Sequence, residues 1–144
     1  MDAAESMTTP EENIMTGSCL CGAVRYQIIG RLGPMGHCHC NLCRKAHGAA
    51  FATFADVRRE HFRWLDGEAL VKRFQSSRNA QRLFCANCGS HLVWESDLDT
   101  ERIAIVIATL DDDPIGRPAG HIFVASKAPW FEITDGLPQH DALP

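Results

Sequence analysis

The sequence has no apolar run approaching the roughly 20 residues that a membrane-spanning helix needs. It has no internal repeat and no low-complexity linker. Nor does it have a positive balance: 14 Lys and Arg stand against 18 Asp and Glu, the formal charge is -4 and the pI is near 5.9. A general nucleic-acid binder would be basic, so neither nucleic acid nor membrane is expected as a partner. The start, "MDAAESMTTPEEN", carries four acids and no base. It lacks the positive and apolar regions of a secretory signal, which points to a cytoplasmic protein. No long amphipathic helix stands out either.

The 144 residues present suit one domain large enough to bury a real core. Residues 1–14 read as a flexible tail, 15–134 as a single β domain, and 135–144, "DGLPQHDALP", as a second loose tail rich in turn residues. Within the domain the hydrophobic period is mostly two. "AVRYQII" (23–29) places Val24, Tyr26 and Ile28 on one strand face. Strands are also expected at "AAFATFA" (49–55) and "HLVWE" (91–95). "RIAIVIATL" (102–110), apolar on both faces, reads as a central strand. Asp66-Gly67, between alternating runs over 61–74, is a hairpin signal. The stretch 111–120 reads as loop, and 121–133 opens with a strand that Pro129 interrupts. The best helical piece is "NLCRKAHG" (41–48), with Asn41 as N-cap and Gly48 as stop. The fold class is therefore all-β.

Seven cysteines are present, an odd count that fits poorly with a disulfide framework. They form Cys19-x-Cys21, Cys38-x-Cys40-x-x-Cys43 and Cys85-x-x-Cys88-Gly89. Zinc takes thiolates at tetrahedral positions about 2.3 Å away. A C-x-x-C-G turn aims two sulfurs at one centre, the glycine closing it at positive φ. An extended C-x-C puts both side chains on one side. Seven thiols divide as four, which close a structural site, plus three, which leave a coordination position open for chemistry. Spacing alone does not force which cysteines go where. Cys40 and Cys43 with Cys85 and Cys88 would make an equally ordinary pair of knuckles. His37, His39 or His47 could also close the second set.

"GSCLCGAVRY", "HCHCNLCRKAHGAAFATF", "FCANCGSHLVW" and "HIFVASKAPWFEI", spanning Gly17 to Ile133, together resemble the glutathione-dependent formaldehyde-activating enzyme family, which also includes centromere protein V. The resemblance implies a β-tent fold of antiparallel sheets. It implies a structural zinc on Cys19, Cys21, Cys85 and Cys88, and a second, exchangeable zinc on Cys38, Cys40 and Cys43 at the active site. The implied reaction joins glutathione to formaldehyde, as a carbon–sulfur lyase. The chain lacks the extensions of longer family members, so part of their substrate surface is expected to be missing.

Glutathione carries two carboxylates, so cations beside the triplet are candidate anchors. Arg44 and Lys45 are nearest in sequence, with Lys127 as a further candidate. His39 and His47 are candidate proton carriers, because histidine titrates near neutrality. Trp64, Trp94, Trp130 and Phe131 read as packing residues. Two other functions fit the same cysteines: a non-catalytic, zinc-stabilised binding module, and a thiol-based redox or metal sensor.

Overall fold

The computed structural model describes residues 13–144. Most of the tail expected over 1–14 lies outside the described residues, and Ile14 already belongs to a strand. The architecture is all-β, as expected: the described residues form ten strands in two open sheets, with one short helix. Strands β1 (Ile14–Ser18), β2 (Arg25–Ile29) and β5 (Phe62–Asp66) form a three-stranded antiparallel sheet in the order β1-β2-β5. The second sheet comprises β3 (Met35–Cys38), β4 (Ala52–Arg58), β6 (Val71–Ser77), β7 (Ala80–Cys85), β8 (His91–Ser96), β9 (Asp99–Val106) and β10 (His121–Ile122). Its order is β10-β3-β4-β9-β8-β7-β6. All pairings are antiparallel except β10 with β3. Helix α1 (Asn41–His47) follows β3.

The core lies between the two sheets. Val24, Tyr26 and Ile28, which alternate along the β2 region as period two demands, are fully buried against Ala55, Val57, Leu83, Leu92 and Ile105. Tyr26 is the chain's one tyrosine. Its ring passes directly over Gly17, where a Cβ would sit 2.1 Å from it, and its hydroxyl meets Thr109 Oγ1 at 2.7 Å. Burial pushes the phenol up to about 12. The expected central strand is the fourth of seven, with Ile103 to Val106 buried on both faces. It ends sooner than its composition implies, because Ile107–Thr109 coil into a 3-10 turn.

Asp66-Gly67 does not close a hairpin. Strand β5 pairs with β2 in one sheet, while β6 pairs with β7 in the other. A two-residue type I′ turn requires positive φ at both positions, and only Gly67 has it, at 75°. A 3-10 turn over Glu68–Leu70 follows and carries the chain between sheets. At this crossing the Gly67 backbone presses on Ala23, whose carbonyl oxygen would lie 2.1 Å from an added Cβ. Gly67→Ala therefore combines backbone strain with a backbone clash. It is expected to lower stability by about 2 kcal/mol or more, read as a drop in the urea midpoint at unchanged m-value.

Residues 135–144 are not a loose tail. The amides of His121, Phe123 and Val124 donate to the carbonyls of Pro138, Ala142 and His140. Gln139 bridges to His121 as a parallel partner. The segment thus extends the sheet beyond β10. Exposed edge amides and carbonyls need partners, and the two-residue strand β10 finds them here.

Candidate metal centres and substrate site

The sheets bring the seven thiols together as four and three. Cys19 and Cys21 lie in the turn between β1 and β2, where Gly22 takes φ 80°. Cys85 ends β7, and Cys88 with Gly89, at φ 82°, completes the knuckle, Gly89 N–H donating to the Cys85 carbonyl at 2.8 Å. The ligand atoms of these four residues lie within 4.8 Å of one another. Cys19 and Cys21 sulfurs are 3.6 Å apart, and Cys21 and Cys85 sulfurs 3.9 Å. Tetrahedral ligands at 2.3 Å would be separated by about 3.8 Å, so the set fits a zinc ion. Backbone amides also point at the sulfurs: Val24 N–H at Cys19 (3.3 Å) and Asn87 N–H at Cys85 (3.3 Å). Such donors stabilise thiolate rather than thiol.

The second set, Cys38, Cys40 and Cys43, also lies within 4.8 Å. Cys38 ends β3, and Cys43 sits in the first turn of α1. The helix cap is Cys40, not Asn41: its sulfur accepts from Cys43 N–H at 3.2 Å, from an extended backbone at φ -66°, ψ 153°. A cysteine does here what Ser or Asp does elsewhere, satisfying an orphan amide of the first turn. Gly48 stops the helix at φ 60°, as expected. Contacts with Cys38 first, then Cys43, pull the Cys40 thiol far down, while the same hydrogen bonds push Cys38 up. No fourth cysteine joins this set among the described residues.

Arg82 was not among the sequence candidates. It lies on β7, is 3% exposed, and points Nη2 at Cys43 Sγ, 3.5 Å away. Strand alternation explains how one strand serves both cysteine sets. Leu83 and Cys85 face the core and the four-thiol site, and Arg82 and Phe84 face the other way. Among the described residues Arg82 makes no carboxylate pair, and its Nε and Nη1 are buried without a partner. A buried unpaired guanidinium is costly. Three thiolates around a divalent ion carry one net negative charge, and that complex is the counter-charge Arg82 lacks. The donor set and the orphaned cation therefore fit a metal independently. In sequence, the one available signal was an arginine inside the apolar run "AQRLFC".

Lys45, Leu42, Phe74, Phe84, Arg82 and His91 line a cavity of about 460 Å³ beside the helix. Arg44 points elsewhere: its Nη2 contacts Asn41 Oδ1 at 3.5 Å, and its Nε is buried without a partner. A second concavity, about 340 Å³, reaches Cys38 between Phe54, Ile122 and the C-terminal residues His140 to Pro144. A third, about 550 Å³, contains no cysteine and lies between Arg31–Met35 and Pro114–Arg117. Lys127 donates to the carbonyls of Ala128 and Phe131 and so fastens a turn rather than facing the cavity. Trp64 packs on Phe62 and Tyr26, and Phe131 on Phe51, as expected of packing residues. Trp130 does not: it is 70% exposed.

The histidines separate. Alternation along β3 turns His37 and His39 to the face opposite Cys38. The His39 ring is fully buried and its Nε2 pairs with His121 Nδ1 at 2.7 Å. Burial first, then His121 and His37, pushes His39 down to about 4. His47 stacks near His91 and Phe54, and burial first, then His91 and Arg82, pushes it also to about 4. Both rings are thus neutral at pH 7. An unfolded histidine titrates near 6.5, so between about 6.5 and 4 the unfolded chain binds the extra proton and stability falls on acidification. His47→Gln is expected to show a shallower loss of urea midpoint than the parent between pH 6.5 and 5.

Residues 14–126 match the family described as glutathione-dependent formaldehyde-activating enzyme. The chain belongs to that family. A Halomonas elongata protein provisionally named as such an enzyme is 29% identical over 133 residues, covering 83% of this chain and 81% of its own length. An uncharacterised lyase of Schizosaccharomyces pombe is 32% identical over 76 residues, 53% of each chain. A crystal structure of a Rhodobacter sphaeroides protein shares the fold at TM-score 0.61 and 26% identity, covering 74% of this chain and 99% of that one. Membership places the two cysteine sets in a family associated with zinc and lyase chemistry. No helix among the described residues is long and apolar enough to cross a membrane.

Proposed function

We propose that this protein is a zinc-dependent carbon–sulfur lyase of the glutathione-dependent formaldehyde-activating type, joining a small thiol to an aldehyde at Cys38, Cys40 and Cys43. The observation that carries this reading is the sorting of seven thiols into a complete four-sulfur set and a separate three-sulfur set next to a cavity. Cys19, Cys21, Cys85 and Cys88 would hold the structural zinc, and the triplet a second, exchangeable one. When bound at the triplet, zinc supplies Lewis acidity that favours a thiolate or a polarised carbonyl near pH 7.

The remaining work falls to side chains. Arg82 offsets the excess negative charge of the triplet. Lys45, on the cavity wall, is placed for a carboxylate of a thiol such as glutathione, and Arg44, one position before it on the helix, would join it by turning from Asn41. Leu42, Phe74 and Phe84 give the cavity beside the helix an apolar wall for the uncharged part of a substrate. The addition balances: sulfur bonds to the aldehyde carbon, and the thiol proton ends on the aldehyde oxygen. His39, a candidate proton carrier by sequence, acts in this reading by bracing the triplet loop through His121. The reaction is one of the cytoplasm, where glutathione is plentiful.

The test is to load the protein with two zinc equivalents and titrate glutathione while following metal coordination by X-ray absorption. Formaldehyde consumption is followed in parallel against the spontaneous reaction. A sulfur ligand added to one zinc, with consumption above the uncatalysed rate, supports the reading. Unchanged coordination together with the uncatalysed rate rejects it.

A further inference from the structure

Sheet register builds a third cluster of metal-ligating side chains that contains no cysteine. His121 on β10 is the direct partner of His37 on β3, which is the direct partner of Thr53 on β4. Residues opposite one another on neighbouring strands share a face, so the three side chains form a row. The imidazole centroids of His37 and His121 are 4.7 Å apart. Asp135, from the docked C-terminal segment, closes the row: its oxygens lie 2.9 and 3.2 Å from His121 Nε2. One ligand atom from each of His37, His121 and Asp135 falls within 4.8 Å of the others.

The outer contacts of these rings are those of metal ligands. A metal-bound histidine commits its other nitrogen to a hydrogen bond that fixes the ring. His37 Nδ1 is held by Thr53 Oγ1 at 2.8 Å, and His121 Nδ1 by His39 Nε2 at 2.7 Å. That leaves Nε2 of each ring for the common centre. Asp135 is oriented in turn by Leu137 N–H, at 3.0 Å to Oδ1. Two donors on one ion at bonds near 2.1 Å sit about 3.0 Å apart in octahedral and about 3.4 Å apart in tetrahedral geometry, and the His121–Asp135 spacings of 2.9 and 3.2 Å lie close to that range.

From this geometry we propose that His37, His121 and Asp135 form a third metal site, for a divalent first-row transition ion. Two imidazoles and one carboxylate suit zinc, cobalt, nickel or ferrous iron, and not magnesium or calcium, which take oxygen ligands. Three protein ligands leave further positions for water or a small ligand, reached from the exposed Asp135 side. The site shares no ligand with either thiol set, and its one link to the triplet loop is the His121–His39 hydrogen bond. It sits on the far face of the strand that carries Cys38.

The test uses untagged protein already carrying two zinc equivalents, titrated with cobalt(II). Calorimetry follows binding, and optical spectra identify the donors. The expected result is one further equivalent whose spectrum lacks the near-ultraviolet sulfur-to-cobalt band. Asp135→Asn and His37→Ala are each expected to weaken it by about tenfold or more, with two zincs retained. Asp135 is a surface residue, so its variant keeps the fold even if the His37 variant does not. No binding beyond two equivalents, a sulfur band on the added cobalt, or unchanged affinity in Asp135→Asn would each overturn the proposal.

Discussion

Replacing Cys85 or Cys88 by serine is expected to abolish cooperative folding, while Cys40→Ser leaves a folded domain. The four-thiol site joins the β1–β2 turn of one sheet to the β7–β8 turn of the other. Structural zinc contributes about 10–16 kcal/mol in zinc-finger peptides near pH 7, as much as or more than the roughly 5–15 kcal/mol that holds a whole domain. Losing one ligand therefore removes most of the margin. The triplet bridges nothing comparable: Cys38, Cys40 and Cys43 lie within six consecutive residues. Cys40→Ser forfeits a helix cap only in part, since serine also caps. Thermal scans with zinc analysis separate the cases, and equal destabilisation by both classes of variant would refute the division of labour.

Arg82→Met is expected to move two properties in opposite directions. With the triplet stripped of metal, the variant should be more stable than the parent by about 1–4 kcal/mol, because an uncompensated buried charge has become apolar volume. With metal present, zinc at the triplet should be held about 10–100-fold more weakly, since the Nη2 contact to Cys43 and the offsetting charge are gone. Turnover should fall accordingly. Thermal unfolding of the stripped protein gives the first quantity and chelator competition the second. A residue that merely packed would lower both. Arg82→Lys should restore the charge but not the reach or the planar fork, so recovery is expected to be partial.

What the sequence disclosed depended on how locally each feature is encoded. The strand face of Val24, Tyr26 and Ile28 and the both-face burial of β9 are written in adjacent residues and emerged as read. So did the helix after Cys40 and its stop at Gly48. The false hairpin at Asp66-Gly67 shows the limit: the dipeptide marks a reversal but not which sheet the next strand joins. The docked 135–144 segment was hidden because its bonds are made by backbone, to which composition is blind. The candidate site divides in the same way. Cysteine spacing left two partitions open, and resemblance to the family pointed to the one that the sheets assemble. Asp135 is assigned only by a segment distant in sequence, and Arg82 carried no local signal beyond its place in the run "AQRLFC". His39 was legible as a residue of interest but not in orientation, because one step along β3 reverses the face.

The four-thiol site also sets a schedule for biosynthesis. Cys21 and Cys85 are separated by 64 positions. At about 5–20 residues per second, the first pair leaves the ribosome about 3–13 s before its partners exist. Throughout that interval Cys19 and Cys21 are bare thiols on a nascent chain, open to oxidants and to stray metal. The domain cannot close until a late segment brings Cys85 and Cys88, so its yield in the cell should follow free zinc and thiol redox state during translation, as much as the sequence itself.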